Sequence, residues 1–142
     1  MSNPCDRKNW LASASESSLM MSPSQLYNPP IQAVDGMAGT RWSSGAAQKG
    51  GEWFELDLGG VAAHLSQLVL DTSLSASDFP ASYELGISSD DATFKVVASG
   101  SGSGTTTINF TDQPGRYLKV TQKGTSTSWW SIQEVTVVCT AK

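Results

Sequence analysis

Apolar side chains recur at every second position in short runs along this chain: Trp10, Ala12 and Ala14; Phe54, Leu56 and Leu58; Leu68 and Leu70; Tyr83, Leu85 and Ile87; Val135, Val137 and Cys139. Successive side chains of an extended backbone point to opposite sides, so each run predicts a strand with one buried and one wetted face. Further strands are predicted over 94–98, 106–110 and 117–121, and no segment carries a 3.6-residue apolar period. Ser89-Asp90-Asp91 and Pro114-Gly115 supply turn chemistry between runs. Many short alternating strands with turn residues between them predict an all-β sandwich. The glycine- and serine-rich stretch 99–104 reads as a flexible hairpin tip, and 15–30 and 43–51 read as loops.

With 142 residues the chain has the length of one domain, 1–142, with one core. Only 15% of residues are charged and the net charge is −4, which leaves no basic stripe for nucleic acid or an anionic membrane. No apolar run reaches the eighteen or so residues of a membrane span. Residues 1–18 lack the apolar centre of a secretion leader, so for an exported protein the expectation is a leader outside this sequence and an added Met1. Cys5 and Cys139 sit at opposite ends of the chain, and domain termini are often close in space. They read as a disulfide closing the whole domain, which stabilises by about 4–5 kcal/mol on the chain-entropy view. Such a bond implies an oxidising compartment and a secreted protein. The alternative is a pair of buried thiols in a cytosolic protein.

Two stretches stand out for chemistry. Trp129 and Trp130 are adjacent within Ser126-Thr127-Ser128-Trp129-Trp130-Ser131, so if one indole enters the core the other is pushed toward solvent. A small, hydroxylated loop carrying an exposed indole suits a flat polar ligand with one apolar face, such as a sugar. Asp35-Gly36-Met37-Ala38-Gly39-Thr40 packs a carboxylate, a glycine turn and a hydroxyl together; it fits either a hard-cation loop or an Asx turn. His64, the single histidine, reads as a solvated turn residue, and Asp90 with Asp91 as a solvated turn. The sequon Asn109-Phe110-Thr111 lies within a strand and carries little weight.

Five segments, taken in order, resemble a known family. They are Ala33-Val34-Asp35-Gly36 with Thr40-Arg41-Trp42; Trp53-Phe54-Glu55-Leu56-Asp57-Leu58-Gly59; Tyr83-Glu84-Leu85 with Ser88-Ser89-Asp90; Gly115-Arg116-Tyr117-Leu118-Lys119-Val120; and Ser131-Ile132-Gln133-Glu134-Val135. The chain is similar over residues 6–139 to the discoidin family, also called the coagulation factor 5/8 C-type domain, whose sugar-binding branch is family 32 of the carbohydrate-binding modules. The resemblance implies an eight-stranded jelly roll, a structural calcium and ligand loops at one end; an end-to-end disulfide is common in the family.

For the calcium, the resemblance implies the side chains of Asp35, Thr40 and Glu134 and the carbonyls of Gln32, Met37 and Gln133, with Met37 standing where asparagine is usual. For the sugar it implies Trp129 as aromatic platform, with Asp71, Gln48, Lys49 and Tyr27 as polar candidates and Trp130 as either ligand surface or core. Trp42 and Trp53 read as core. The histidine and arginine of galactose-binding relatives are replaced here by Ser43 and by Asp71, Thr72 or Ser73. The expected function is therefore a non-catalytic module that holds a secreted glycan-active enzyme or surface protein on a neutral polysaccharide of β-glucan or galactose-type units. The alternative is a membrane- or protein-adhesion domain of the coagulation type.

Overall fold

The structure, a computed structural model, describes residues 3–18 and 28–142. Among the described residues eight strands form: β1 (Leu11–Ala14), β2 (Trp42–Ser43), β3 (Trp53–Asp71), β4 (Tyr83–Ser88), β5 (Lys95–Gly100), β6 (Thr105–Gln122), β7 (Ser131–Ile132) and β8 (Glu134–Thr140). All pairings are antiparallel. The architecture is the expected β-sandwich jelly roll.

Its two layers share two long strands. β3 has 19 residues and β6 has 18, and the register between them shifts in the middle, so both bend from one layer into the other. The first part of β3 pairs with β1 and with the end of β6, which also pairs with β4. The second part of β3 pairs with β8 and with the start of β6. The bend in β3 follows Gly59, at φ +81; a Cβ there would lie 2.8 Å from the Asn9 carbonyl oxygen, so only glycine fits. Pro114-Gly115, expected as a turn between strands, lies inside β6. The chain bends there without stopping, because β3 bends beside it. His64, expected in a turn, likewise lies in β3 opposite Thr140, with its ring near the Asp112 carboxylate.

Between the layers, Leu56, Leu58, Leu85, Leu118 and Val120 are buried in alternation with outward residues. Trp42 and Trp130 meet edge to face at 4.9 Å, and Phe54 packs on Trp42 at 5.2 Å. Trp53, expected in the core, is half-buried on the outer face of β3 under the Lys119 ammonium, 4.7 Å from its ring. Period two decides this: Phe54 faces in, so Trp53 faces out.

The stretch after β5 is also reassigned. β4 lies between β6 and β5 in the sheet, so residues 101–104 cross over the end of β4 and do not close a hairpin. The crossover is fastened. Gly102 N–H donates to the Pro80 carbonyl at 3.0 Å, Thr72 N–H to Gly104 at 2.8 Å, and the Ser103 hydroxyl to the Thr105 carbonyl at 2.7 Å. Cys5 and Cys139 form a disulfide, with Cα atoms 5.6 Å apart.

Candidate functional site

At one end of the sandwich the loop after β6 folds against the loop before β3. Gln48 joins them. Its N–H donates to the Ser128 carbonyl at 3.2 Å, its carbonyl accepts from Ser126 N–H at 3.0 Å, and its side-chain amide donates to Phe79 and Trp129 carbonyls and accepts from Ala81 N–H. Only 3% of Gln48 is exposed. Its polar atoms are thus spent on bracing the loops, and it is not a ligand contact as expected from the sequence. Trp130, the next candidate, is 0% exposed and packs on Trp42, so it presents no face to a ligand. Its backbone N–H donates to the Ser44 hydroxyl and its carbonyl accepts from Ser44 N–H, which pins the chain so that Trp129 turns outward, 39% exposed.

Beside this loop lies an open depression of about 300 Å³, lined by Ser15, Glu16, Lys49, Gly50, Gly51 and Glu52. Lys49 is exposed at its rim. Glu52 is a scaffold group: burial alone would raise its pKa, but hydrogen bonds from the Lys49 and Gly50 amides and from Gln122 hold it below the usual value. Glu16 was not picked out by sequence reasoning. One of its carboxylate oxygens is buried without a hydrogen-bond partner, in a residue that lines the depression. A lone carboxylate in a serine run gives no pattern by which to find it. Asp71 sits elsewhere. It ends β3 opposite Glu134, and its carboxylate accepts from Ser73 N–H at 2.9 Å, so it caps a turn and does not join Trp129. Tyr27 lies outside the described residues.

Four of the six cation candidates, Asp35, Met37, Thr40 and Glu134, come together. Thr40 Oγ1 lies 2.5 Å from Asp35 Oδ2 and 3.0 Å from the Met37 carbonyl oxygen, and Asp35 Oδ1 accepts from Met37 N–H at 2.9 Å. Gly36, at φ +78, makes the turn and donates its N–H to Glu134 Oε1 at 2.9 Å. Glu134 Oε2 is held by the Arg7 guanidinium. Burial raises the Glu134 pKa and the Asp35 carboxylate adds to it, while Arg7 and the Gly36 amide pull the other way; the net direction is upward. Met37 keeps its side chain in solvent, as a residue contributing only a carbonyl would. Gln32 lies in the 3-10 turn just before this loop, and Gln133 directly precedes Glu134, its side-chain amide donating to Ser75 at 2.9 Å. The donor set is all oxygen, which suits calcium by chemistry. Among the described residues no third acidic, His or Cys side chain joins the two carboxylates.

Several solved structures share this fold at low identity. The module CpGH89CBM32-5 of Clostridium perfringens, in complex with GalNAc-β-1,3-galactose, is 19% identical with a TM-score of 0.77, covering 94% of this chain and 97% of its own. Chitosan-binding module 2 of a chitosanase/glucanase from Paenibacillus sp. IK-5, in complex with chitotriose, is 23% identical with a TM-score of 0.73, covering 91% and 95%. A family 89 glycoside hydrolase of Clostridium perfringens is 20% identical with a TM-score of 0.70; the match covers 98% of this chain and 15% of the hydrolase. No curated protein sequence matches the chain closely enough to count as a relative. The sequence pattern of the F5/8 type C domain matches residues 12–135, and the chain belongs to the F5/8 type C domain family.

Proposed function

We propose that the domain is a non-catalytic carbohydrate-binding module whose seat is the loop end around Trp129. The observation that carries this is the division of labour between two adjacent indoles: Trp130 anchors the loop in the core and Trp129 stands out from it, on a loop that Gln48 ties to the segment lining an open depression. The exposed ring would stack on the C–H face of a pyranose, while Glu16 and Lys49 at the depression would bind its hydroxyls. Gln48 fixes the loop before any ligand arrives, so little ordering cost falls on binding. One platform and a few hydrogen bonds correspond to millimolar to tens-of-micromolar affinity, about −4 to −6 kcal/mol, and the domain would serve by keeping an attached enzyme or surface protein, in a secreted setting, near polysaccharide. The structural neighbours with bound sugars support this use of the fold.

The ligand class is a neutral β-glucan or galactose-type unit; an acidic sugar would meet like charge at Glu16 in a partly desolvated site. A second reading, favoured by the unpartnered Glu16 oxygen and the chitotriose-bound neighbour, is a cationic amino sugar. In either case Asp35, Thr40 and Glu134, with the carbonyls of Gln32, Met37 and Gln133, would hold a structural calcium. Bound there, the ion would neutralise the two carboxylates and tie the loop to β8. A glycan array with the isolated domain, followed by calorimetry on its best ligand, tests the proposal. Binding to neutral or amino sugars supports it. Binding to polyuronates or sulfated glycans above all others would overturn the ligand class, and incubation with polysaccharide that releases reducing ends would overturn the non-catalytic role.

A further inference from the structure

Arg7 reaches the Asp35–Glu134 cluster from a distant part of the sequence and is held there from several sides. It opens a 3-10 turn, Arg7–Asn9, whose cap residue Asp6 accepts from Lys8 N–H at 3.1 Å, while Trp10 N–H donates to the Arg7 carbonyl at 3.0 Å. Its guanidinium carbon lies 4.9 Å from the ring centroid of buried Trp10. Its stem passes over the Gly36 turn, with Cδ 3.7 Å from where a Cβ on Gly36 would stand. The guanidinium ends on Glu134 Oε2, with the Arg7 side chain 32% and the Glu134 side chain 14% exposed. Covalent structure reinforces the contact: Cys5, just before Arg7, is bonded to Cys139, on the same strand as Glu134. The disulfide and the Arg7–Glu134 contact thus join the same two stretches of chain, the latter across a sequence separation of 127.

With Arg7 in place, all four oxygens of Asp35 and Glu134 have a partner: Met37 N–H, the Thr40 hydroxyl, Gly36 N–H and the guanidinium. Two like charges that would otherwise demand an external cation already have an internal one. We propose that Arg7 is a tethered counter-cation that holds this cluster together without calcium and must release Glu134 before a calcium ion can take both carboxylates. The domain then stays folded at low calcium, and calcium binds more weakly than the carboxylates alone would allow. This rests on the calcium reading of the cluster given above.

The test needs no glycan. Calcium titrations by calorimetry, and thermal melts with calcium or with chelator, are run on the wild-type domain and on Arg7→Met, which keeps apolar packing against Trp10 and loses the charge. Loss of a charge-assisted hydrogen bond predicts that Arg7→Met binds calcium about tenfold or more tightly than wild type, melts lower in chelator, and recovers more on adding calcium. Equal or weaker calcium binding by Arg7→Met overturns the proposal while the calcium reading stands. Absence of calcium binding in both proteins overturns the calcium reading and the competition together. Should Arg7→Met not fold in either condition, Arg7→Lys decides, since it keeps the charge without the guanidinium's directed fork: a few-fold tighter calcium binding supports the proposal, and an unchanged or weaker affinity overturns it.

Discussion

Trp129 and Trp130 differ by one position and by everything around them, and the same alternation acts at Phe54 and Trp53. In the first pair the sequence already showed that one ring had to leave the core; which one was decided by Ser44 and Trp42, residues far away in the chain. In the second, the period of two was visible, and placing Trp53 inside went against it. The outward face of β3 also carries Glu55, opposite Lys119. Burial, and then the neighbouring Asp91 carboxylate, push the Glu55 pKa up from 4.5 to about 7, with Lys119 opposing. An unfolded chain releases this proton near pH 4.5, whereas the folded protein keeps it until about pH 7. The contribution of Glu55 to stability is therefore greatest below that window and falls as pH rises through it. Glu55→Gln should flatten denaturant-measured stability between pH 5 and 7 and make the domain more stable than wild type at pH 8. An unchanged pH slope would show that Glu55 does not hold the proton.

Individual strands were legible from alternation, and their connections were not. A hairpin after β5 was the natural local reading of a glycine-rich gap, but the strand that β5 pairs with, β4, comes earlier, and β4 in turn separates β5 from β6. That insertion is a long-range pairing with no trace in the gap itself. The same holds for the bend at Gly115, where a turn signature marks a change of layer within β6: a Cβ there would lie 2.4 Å from Ile87 Cγ2. The crossover gives a sharp contrast between neighbours. A Cβ on Gly102 would fall 2.2 Å from the Pro80 carbonyl oxygen, a backbone atom that cannot swing aside, whereas nothing lies within 4 Å of one on Gly104. Gly102→Ala should cost about 1–3 kcal/mol in urea unfolding, and Gly104→Ala should change little. Equal effects would mean that the crossover is not held against Pro80.

For the molecule as a whole, the family's five segments reported the fold, because they mark layer-forming strands, turns and the loop before β2. The proposed ligand end was only partly legible. Trp129 and Lys49 are there, but Gln48 is a brace, Asp71 caps a turn beside Glu134, and Glu16 enters through a loop with no motif. The disulfide fastens the ends of the chain to each other, and Cys139 lies near the end of β8 that is far from the Trp129 loop. Replacing Cys5 and Cys139 by serine should lower stability by about 4–5 kcal/mol and leave sugar affinity unchanged, as read by urea unfolding beside a binding titration. A comparable loss of affinity would show that the clasp shapes the ligand end. The central claim is that Trp129 is the platform of a sugar site on an otherwise intact domain. Calorimetric titration of Trp129→Ala with the best array ligand, alongside a thermal melt, tests it most directly. The account predicts no measurable binding with a melting temperature close to wild type; undiminished binding by a folded variant would contradict it.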